Sequence, residues 1–199
     1  MAYARIGMYT VKPGTLDAIL TKAEAELVPQ TRQQPGFRRY FSVRTGEDSL
    51  VSVTIWEDKE QAEQAAERLS GWVRAEMGPS LVKVENQVGE LTVSSVPSGE
   101  IHGYARIAVW QFKPGAADAL TERVKAEMLP LMEGEPGFIG YGVARTGELS
   151  GVSVTAFASQ EQSQAAAEKI AVWVREHAAA SIASVERSEG AIVWGVRAG

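Results

Sequence analysis

Residues 3 to 12 are rich in β-branched and aromatic side chains and stop at Pro13-Gly14, a pair suited to the centre of a type II turn, so they predict a first strand. Leu16, Ile19, Leu20, Ala23 and Leu27 then fall at i, i+3, i+4, i+7 and i+11, one face of a helix with Thr15 or Gly14 near its cap. Pro29 is expected to kink or end that helix, and Pro35-Gly36 to end the element. Residues 37 to 45 and 50 to 57 predict a hairpin turning at Gly46-Glu47-Asp48. Ala62, Ala65, Ala66, Leu69, Trp72 and Val73 mark a second amphipathic helix over roughly 59 to 77, and a last β-region, interrupted near Gly89, covers about 81 to 95.

The same pattern then begins again. Tyr3-Ala4-Arg5-Ile6 returns as Tyr104-Ala105-Arg106-Ile107, Lys12-Pro13-Gly14 as Lys113-Pro114-Gly115, Pro35-Gly36-Phe37 as Pro136-Gly137-Phe138, and Trp72-Val73-Arg74 as Trp173-Val174-Arg175. The offset is 101 residues throughout, and about 37 of 96 aligned positions are identical, so the chain is a tandem duplication without net insertion. Each copy is large enough to be a small domain, which predicts domains at 1–97 and 101–199 joined by the short Pro97-Ser98-Gly99-Glu100 segment. The order βαββαβ is that of a ferredoxin-like α+β unit with both helices on one face of an antiparallel sheet. Large apolar groups on the other face call for a cover, and the second copy is the natural one.

Composition narrows the chemistry. Of 199 residues, 20 are Lys or Arg and 25 Asp or Glu, a formal net charge of -5 with no basic run, so nucleic acid is not expected as a partner. With no cysteine and two histidines, His102 and His177, thiolate and multi-histidine metal sites are excluded, and the singly placed glycines form no phosphate loop. No apolar run approaches the roughly 18 residues of a membrane span and the first residues do not read as a leader, so a cytoplasmic protein is expected.

Each copy resembles the antibiotic biosynthesis monooxygenase family of the dimeric α+β barrel superfamily: a strand ending in Lys-Pro-Gly, a helix leading to Pro-Gly-Phe, a hairpin ending near Trp56 or Phe157, and a final strand after Gly89 or Gly190. The resemblance implies that two ferredoxin-like units form the barrel inside one chain. It also implies oxidation of phenolic or anthrone-like aromatics by molecular oxygen without metal or flavin, the substrate supplying the electrons. The haem-degrading branch carries an Asn on strand one, a Trp early in the second helix and a His some ten residues later. This chain has Gly7 or Ala108 and Ala65 or Ala166 at the first two places, and only His177 near the third. Haem chemistry is therefore not the expected reading, and no cofactor or metal is expected.

Polar and aromatic residues retained in both copies are the candidates for a site. Strand one offers Arg5 and Tyr9, matched by Arg106 and Trp110; strand two Tyr40, matched by Tyr141; strand three Ser52 and Thr54, matched by Ser153 and Thr155; the second helix Trp72 and Trp173. In the functional reading, aromatic walls hold a small flat molecule, Arg5 or Arg106 stabilises its anion, and Arg106, Tyr141 and His177 are the catalytic candidates, His177 as a general base or oxygen-orienting group. In the other reading the tryptophans are packing residues, the arginines pair with carboxylates across the two halves, and His177 is a solvated helix-end residue. Arg39 and Phe41 become Gly140 and Gly142, which either makes room for Trp110 or opens a cavity, so the halves are expected to differ. Three functions follow: an oxygenase of a small aromatic, a non-catalytic binding or stress-response protein for a hydrophobic metabolite, and a structural pseudo-dimer. Further homodimerisation is compatible with each.

Overall fold

The computed structural model describes residues 1–96 and 101–198. The expected turn-forming join at 97–100 lies outside the described residues. The first repeat contains strand β1 (Tyr3–Val11), helix α1, strands β2 (Phe37–Gly46) and β3 (Ser49–Trp56), helix α2 and strand β4 (Leu81–Ser95). The second contains β5 (Tyr104–Phe112), α3, β6 (Phe138–Arg145), β7 (Ser150–Phe157), α4 and β8 (Ile182–Arg197). This is the α+β order the hydropathy pattern predicts, twice.

The turn at Lys12-Pro13-Gly14-Thr15 forms as expected. Gly14 has φ of +76°, and the Thr15 amide donates to the Lys12 carbonyl at 3.2 Å. Pro29 does not end the first helix. α1 runs through Leu16–Lys22, a π turn at Ala23–Leu27 and a further α turn at Val28–Arg32. Proline cannot donate to the i−4 carbonyl, and the wider turn directly before it absorbs that defect in the ladder. α3 repeats the arrangement through Ala117–Arg123, Val124–Met128 and Leu129–Glu133, with Pro130.

The second helix of each repeat starts on a side-chain cap: Asp58 accepts from the Gln61 amide at 2.9 Å, and Ser159 from the Gln162 amide at 3.2 Å. α2 comprises Lys59–Trp72 and a π turn at Val73–Met77; α4 comprises Gln160–Trp173 and a π turn at Val174–Ala178. β4 is not interrupted at Gly89, which pairs with Ala4 in an unbroken register. The ladder shifts instead at Thr10/Val11, beside the turn that leads to α1.

The two compact units do not coincide with the two repeats. One comprises Met1–Glu90 with the chain from Ile192 on; the other comprises Leu91–Ala191. β4 and β8 therefore each run from one unit into the other. Within the first unit the hydrogen-bonded order is β4-β1-β3-β2-β8, and within the second β8-β5-β7-β6-β4; the complete order returns on itself as a closed barrel. In the first unit α1 and α2 pack on the sheet through Leu16, Leu20, Leu27, Leu69 and Met77, together with Trp56 and Trp194. The second unit's core draws on Phe112, Leu120, Met128, Met132 and Trp173.

α1 ends at Arg32, ahead of Pro35, and in the turn that leads to β2 Gly36 takes φ of +72°, where an L side chain is strained. A Cβ on Gly36 would also fall 1.7 Å from Gln61 Oε1 on α2. Gly36→Ala is therefore expected to destabilise the protein by about 1–2 kcal/mol, read from a shifted denaturant midpoint with unchanged slope. A midpoint identical to that of the parent protein would refute this account of the turn.

Candidate functional site

In each unit two neighbouring rungs of the sheet carry the candidate residues. In the first, Tyr40 on β2, Thr54 on β3, Arg5 on β1 and Val88 on β4 lie side by side; the next rung is Ser42, Ser52, Gly7 and Asn86. In the second the same rungs read Tyr141, Thr155, Arg106, Glu189 and Val143, Ser153, Ala108, Arg187. The retained hydroxyls and arginines thus share one sheet face, as their period of two predicts.

The two units use these residues differently. In the second unit a cavity of about 500 Å³ lies between this face and the two helices. Arg106, Trp110, Tyr141, Ser153, Thr155 and Trp173, six of the expected site residues, line it, together with Phe112, Arg187 and Glu189. Its apolar floor comes from Leu120, Val124, Met128, Met132 and Ile170. Three lining positions are small where the first repeat is large: Ala117 for Leu16, Thr121 for Leu20 and Ala178 for Met77. Leu16, Leu20 and Met77 are all buried in the first unit's core.

Gly140 and Gly142 do not open this cavity. They alternate with Tyr141 and so point to the opposite sheet face, where a Cβ on Gly140 would meet the Ser95 carbonyl at 3.2 Å and one on Gly142 would meet Leu91 at 3.5 Å. Nor do they make room for Trp110, whose indole Nε1 donates to Ser153 Oγ at 2.8 Å inside the cavity.

Arg106 pairs with Glu189 at 3.0 Å, its side chain 31% exposed, and the Arg187 guanidinium stands 5.7 Å from the centre of the Trp110 ring. The expected carboxylate partner thus comes from within the same unit. Two guanidiniums and one carboxylate leave the lining with a net positive charge. Tyr141 is fully buried, and burial pushes its phenol well above the ordinary tyrosine range, opposed by its hydrogen bond with Ser153. It stays neutral and can donate.

In the first unit Arg5 is 1% exposed. It donates to Ser52 Oγ at 2.9 Å and to the Tyr9 hydroxyl and Asn86 Oδ1. Thr54 accepts from Trp56 Nε1 at 2.9 Å. Burial raises the Tyr40 phenol to about 12, partly offset by the nearby Arg5 charge. Trp72 is half-buried and packs against the core of this unit.

His177 is not among the residues lining the cavity. Its Nδ1 lies 2.8 Å from an Arg123 Nη, its carbonyl accepts from the other Nη at 3.0 Å, and its ring stacks obliquely 5.5 Å from Trp173. Trp173 itself donates to Glu127 Oε2 at 3.1 Å, so this surface cluster holds one wall of the cavity from outside. Among the described residues no group of three or more His, Cys, Asp or Glu side chains could hold a metal, and no described helix is long and apolar enough to cross a membrane.

Sequence reasoning missed Arg187 and Glu189, and the three small residues that open the cavity. All sit where the repeats differ, with Asn86, Val88, Leu16, Leu20 and Met77 as counterparts. Reading the differing columns of the internal alignment, as well as the retained ones, would have found them.

Solved structures with the same fold span the whole chain. One, named "putative monooxygenase" and from Lactobacillus acidophilus, superposes with a TM-score of 0.78 at 13% identity, covering 100% of this chain and 97% of its own. A second of the same name, from Fusobacterium nucleatum, gives 0.75 at 12%, covering 100% and 95%. A protein named anthrone oxidase-like gives 0.67 at 15%, covering 100% and 94%. These identities establish the fold alone. No curated protein sequence matches the chain. The family model for antibiotic biosynthesis monooxygenases matches at residues 2–69 and again at 103–171, both repeats and more than half of the chain. The chain belongs to the antibiotic biosynthesis monooxygenase family.

Proposed function

We propose that the second unit oxidises a small phenol or anthrone-type aromatic with molecular oxygen, without metal or flavin, acting on a diffusible substrate in the cytoplasm. The observation that carries this reading is the cavity of about 500 Å³, walled by Trp110, Phe112, Tyr141 and Trp173 and carrying Arg106 and Arg187. A pocket of that size takes a flat aromatic of two or three rings. The name of the anthrone oxidase-like neighbour supports the same substrate class.

In this reading the substrate binds as its phenol or enol and loses a proton to Glu189, the one carboxylate in the lining. Arg106 and the neutral Tyr141 phenol stabilise the resulting oxyanion, which gives up an electron to oxygen far more readily than the neutral molecule. For a methylene between two aryl rings, two C–H bonds break and one C=O bond forms. One oxygen atom enters the product, and the other leaves as water with the two hydrogens. The four electrons come from the substrate, so no external reductant is consumed.

The test is oxygen uptake by metal-stripped protein against anthrones, hydroquinones and naphthols. Uptake above the autoxidation rate is expected for at least one of them. The double variant Ala117→Leu, Ala178→Met, which carries the first repeat's residues, is expected to lose at least about tenfold of this rate while melting no lower than the parent protein. If no compound is consumed but the same compounds raise the melting temperature, the protein is a binder and the oxygenase reading fails.

A further inference from the structure

Arg5, Gly7 and Tyr9 stand in a row on one face of β1, with no side chain on the middle residue. Arg5 and Tyr9 close over that gap: the Tyr9 hydroxyl accepts from Arg5, and the guanidinium carbon lies 5.8 Å from the Tyr9 ring centre. A Cβ on Gly7 would fall 2.3 Å from the Tyr9 hydroxyl oxygen and 2.7 Å from Arg5 Nη1, so only glycine permits the contact. The other acceptors of Arg5 are Ser52 Oγ and Asn86 Oδ1, both neutral, and its Nε has no partner. Among the described residues no carboxylate pairs with this buried cation. A guanidinium so placed is a donor site for an acceptor oxygen, and what fills it is a phenol.

The second unit keeps the guanidinium and the serine but lacks the phenol. Ala108 replaces Gly7, Trp110 replaces Tyr9 and turns its N–H to Ser153, and Arg106 pairs with Glu189 beside an open cavity. We infer that the first unit is a phenol-binding site occupied by the chain's own Tyr9, and that it accepts an external para-alkyl phenol once the Tyr9 side chain is removed. The inference deepens the phenol reading of the second unit and, for its meaning there, rests on it. It specifies that a substrate's phenolic oxygen is received by Arg106 next to Ser153, as Tyr9's is by Arg5 next to Ser52.

The probe is p-cresol, which is the tyrosine side chain capped with hydrogen, and the control is toluene, the same ring without the hydroxyl. Both are titrated calorimetrically into the full chain carrying Tyr9→Ala together with Ala117→Leu and Ala178→Met, the last two changes filling the cavity of the second unit with the first repeat's side chains. One equivalent of p-cresol is expected to bind, at least tenfold tighter than toluene, and to raise the melting temperature; adding Arg5→Met is expected to erase the preference. No binding, or equal binding of the two compounds, overturns the inference, since the vacated space is then a mere apolar hole. If Tyr9→Ala does not fold alone, folding is scored with p-cresol present and repeated with the milder Tyr9→Leu; failure of p-cresol to restore either variant also overturns it. Should p-cresol bind here while the parent protein's second unit takes up no phenol, the inference stands and the phenol reading of that unit falls.

Discussion

Arg106→Ala is expected to lower kcat/KM for oxygen uptake by about 10²–10³-fold, the usual loss when a donor aimed at a developing oxyanion is removed. The melting temperature should hardly move. Arg106 is 31% exposed and its pair with Glu189 is solvent-screened, so the pair is worth at most about 1 kcal/mol to the fold. Arg106→Lys keeps the charge without the two-pronged donor geometry, and intermediate activity is expected of it. The change should appear in kcat rather than only in KM if, as proposed, the guanidinium acts on charge that grows along the reaction. A kcat/KM within threefold of the parent value, on every substrate the protein consumes, would remove Arg106 from the mechanism. His177→Ala serves as the contrast: it lies outside the cavity, and any effect must pass through Arg123 and Trp173.

The second large effect concerns stability. Trp56→Ala is expected to cost about 3–5 kcal/mol, the range for removing a buried aromatic from a core. Trp56 is 1% exposed, meets Phe37 edge-on at 5.6 Å between ring centres and donates its indole N–H to Thr54. The truncation therefore leaves a void and also removes the donor from a hydroxyl with no access to water. For a chain of this size the melting temperature should fall by roughly 6–20 °C. Trp56→Phe should cost less than half as much, since the second repeat has Phe157 at this position, fully buried and edge-on to Phe138 at 5.9 Å. Equal losses for the two substitutions would mean that the Thr54 contact, rather than ring packing, dominates.

The fold was legible because β1, the helices and the hairpin each announce themselves twice, at one constant spacing. Where a single residue had to be weighed against its surroundings, the sequence was a poorer guide. Pro29 reads as a kink or an end of the helix on its local chemistry, and the π turn before it lets α1 continue to Arg32. Gly89 reads as a break, yet its ladder partners on β1 keep β4 extended. The sheet face bearing Arg106, Tyr141, Ser153 and Thr155 was readable because alternation fixes which residues share a face. The cavity was not, since it depends on volumes contributed by α3 and the end of α4, and Ala117, Thr121 and Ala178 carry no chemical signal of their own. Gly140 and Gly142, which do draw the eye, act on the other face.

The passage of β4 and β8 between the compact units has a consequence for inheritance. Residues 91–95 are encoded at the end of the first repeat yet belong to the second compact unit, and the residues from Ile192 on stand in the reverse relation. A gene shortened to the first repeat would encode a chain without the residues from Ile192 on, so it could complete its own unit only by borrowing that segment from a second copy. Two identical chains must also carry every substitution in duplicate, whereas a fused pair can fix Gly7 in one copy and Ala108 in the other. Fusion thus releases one site from the constraints on its twin, and a lineage holding this gene is free to keep one half for chemistry while the other is remade as scaffold.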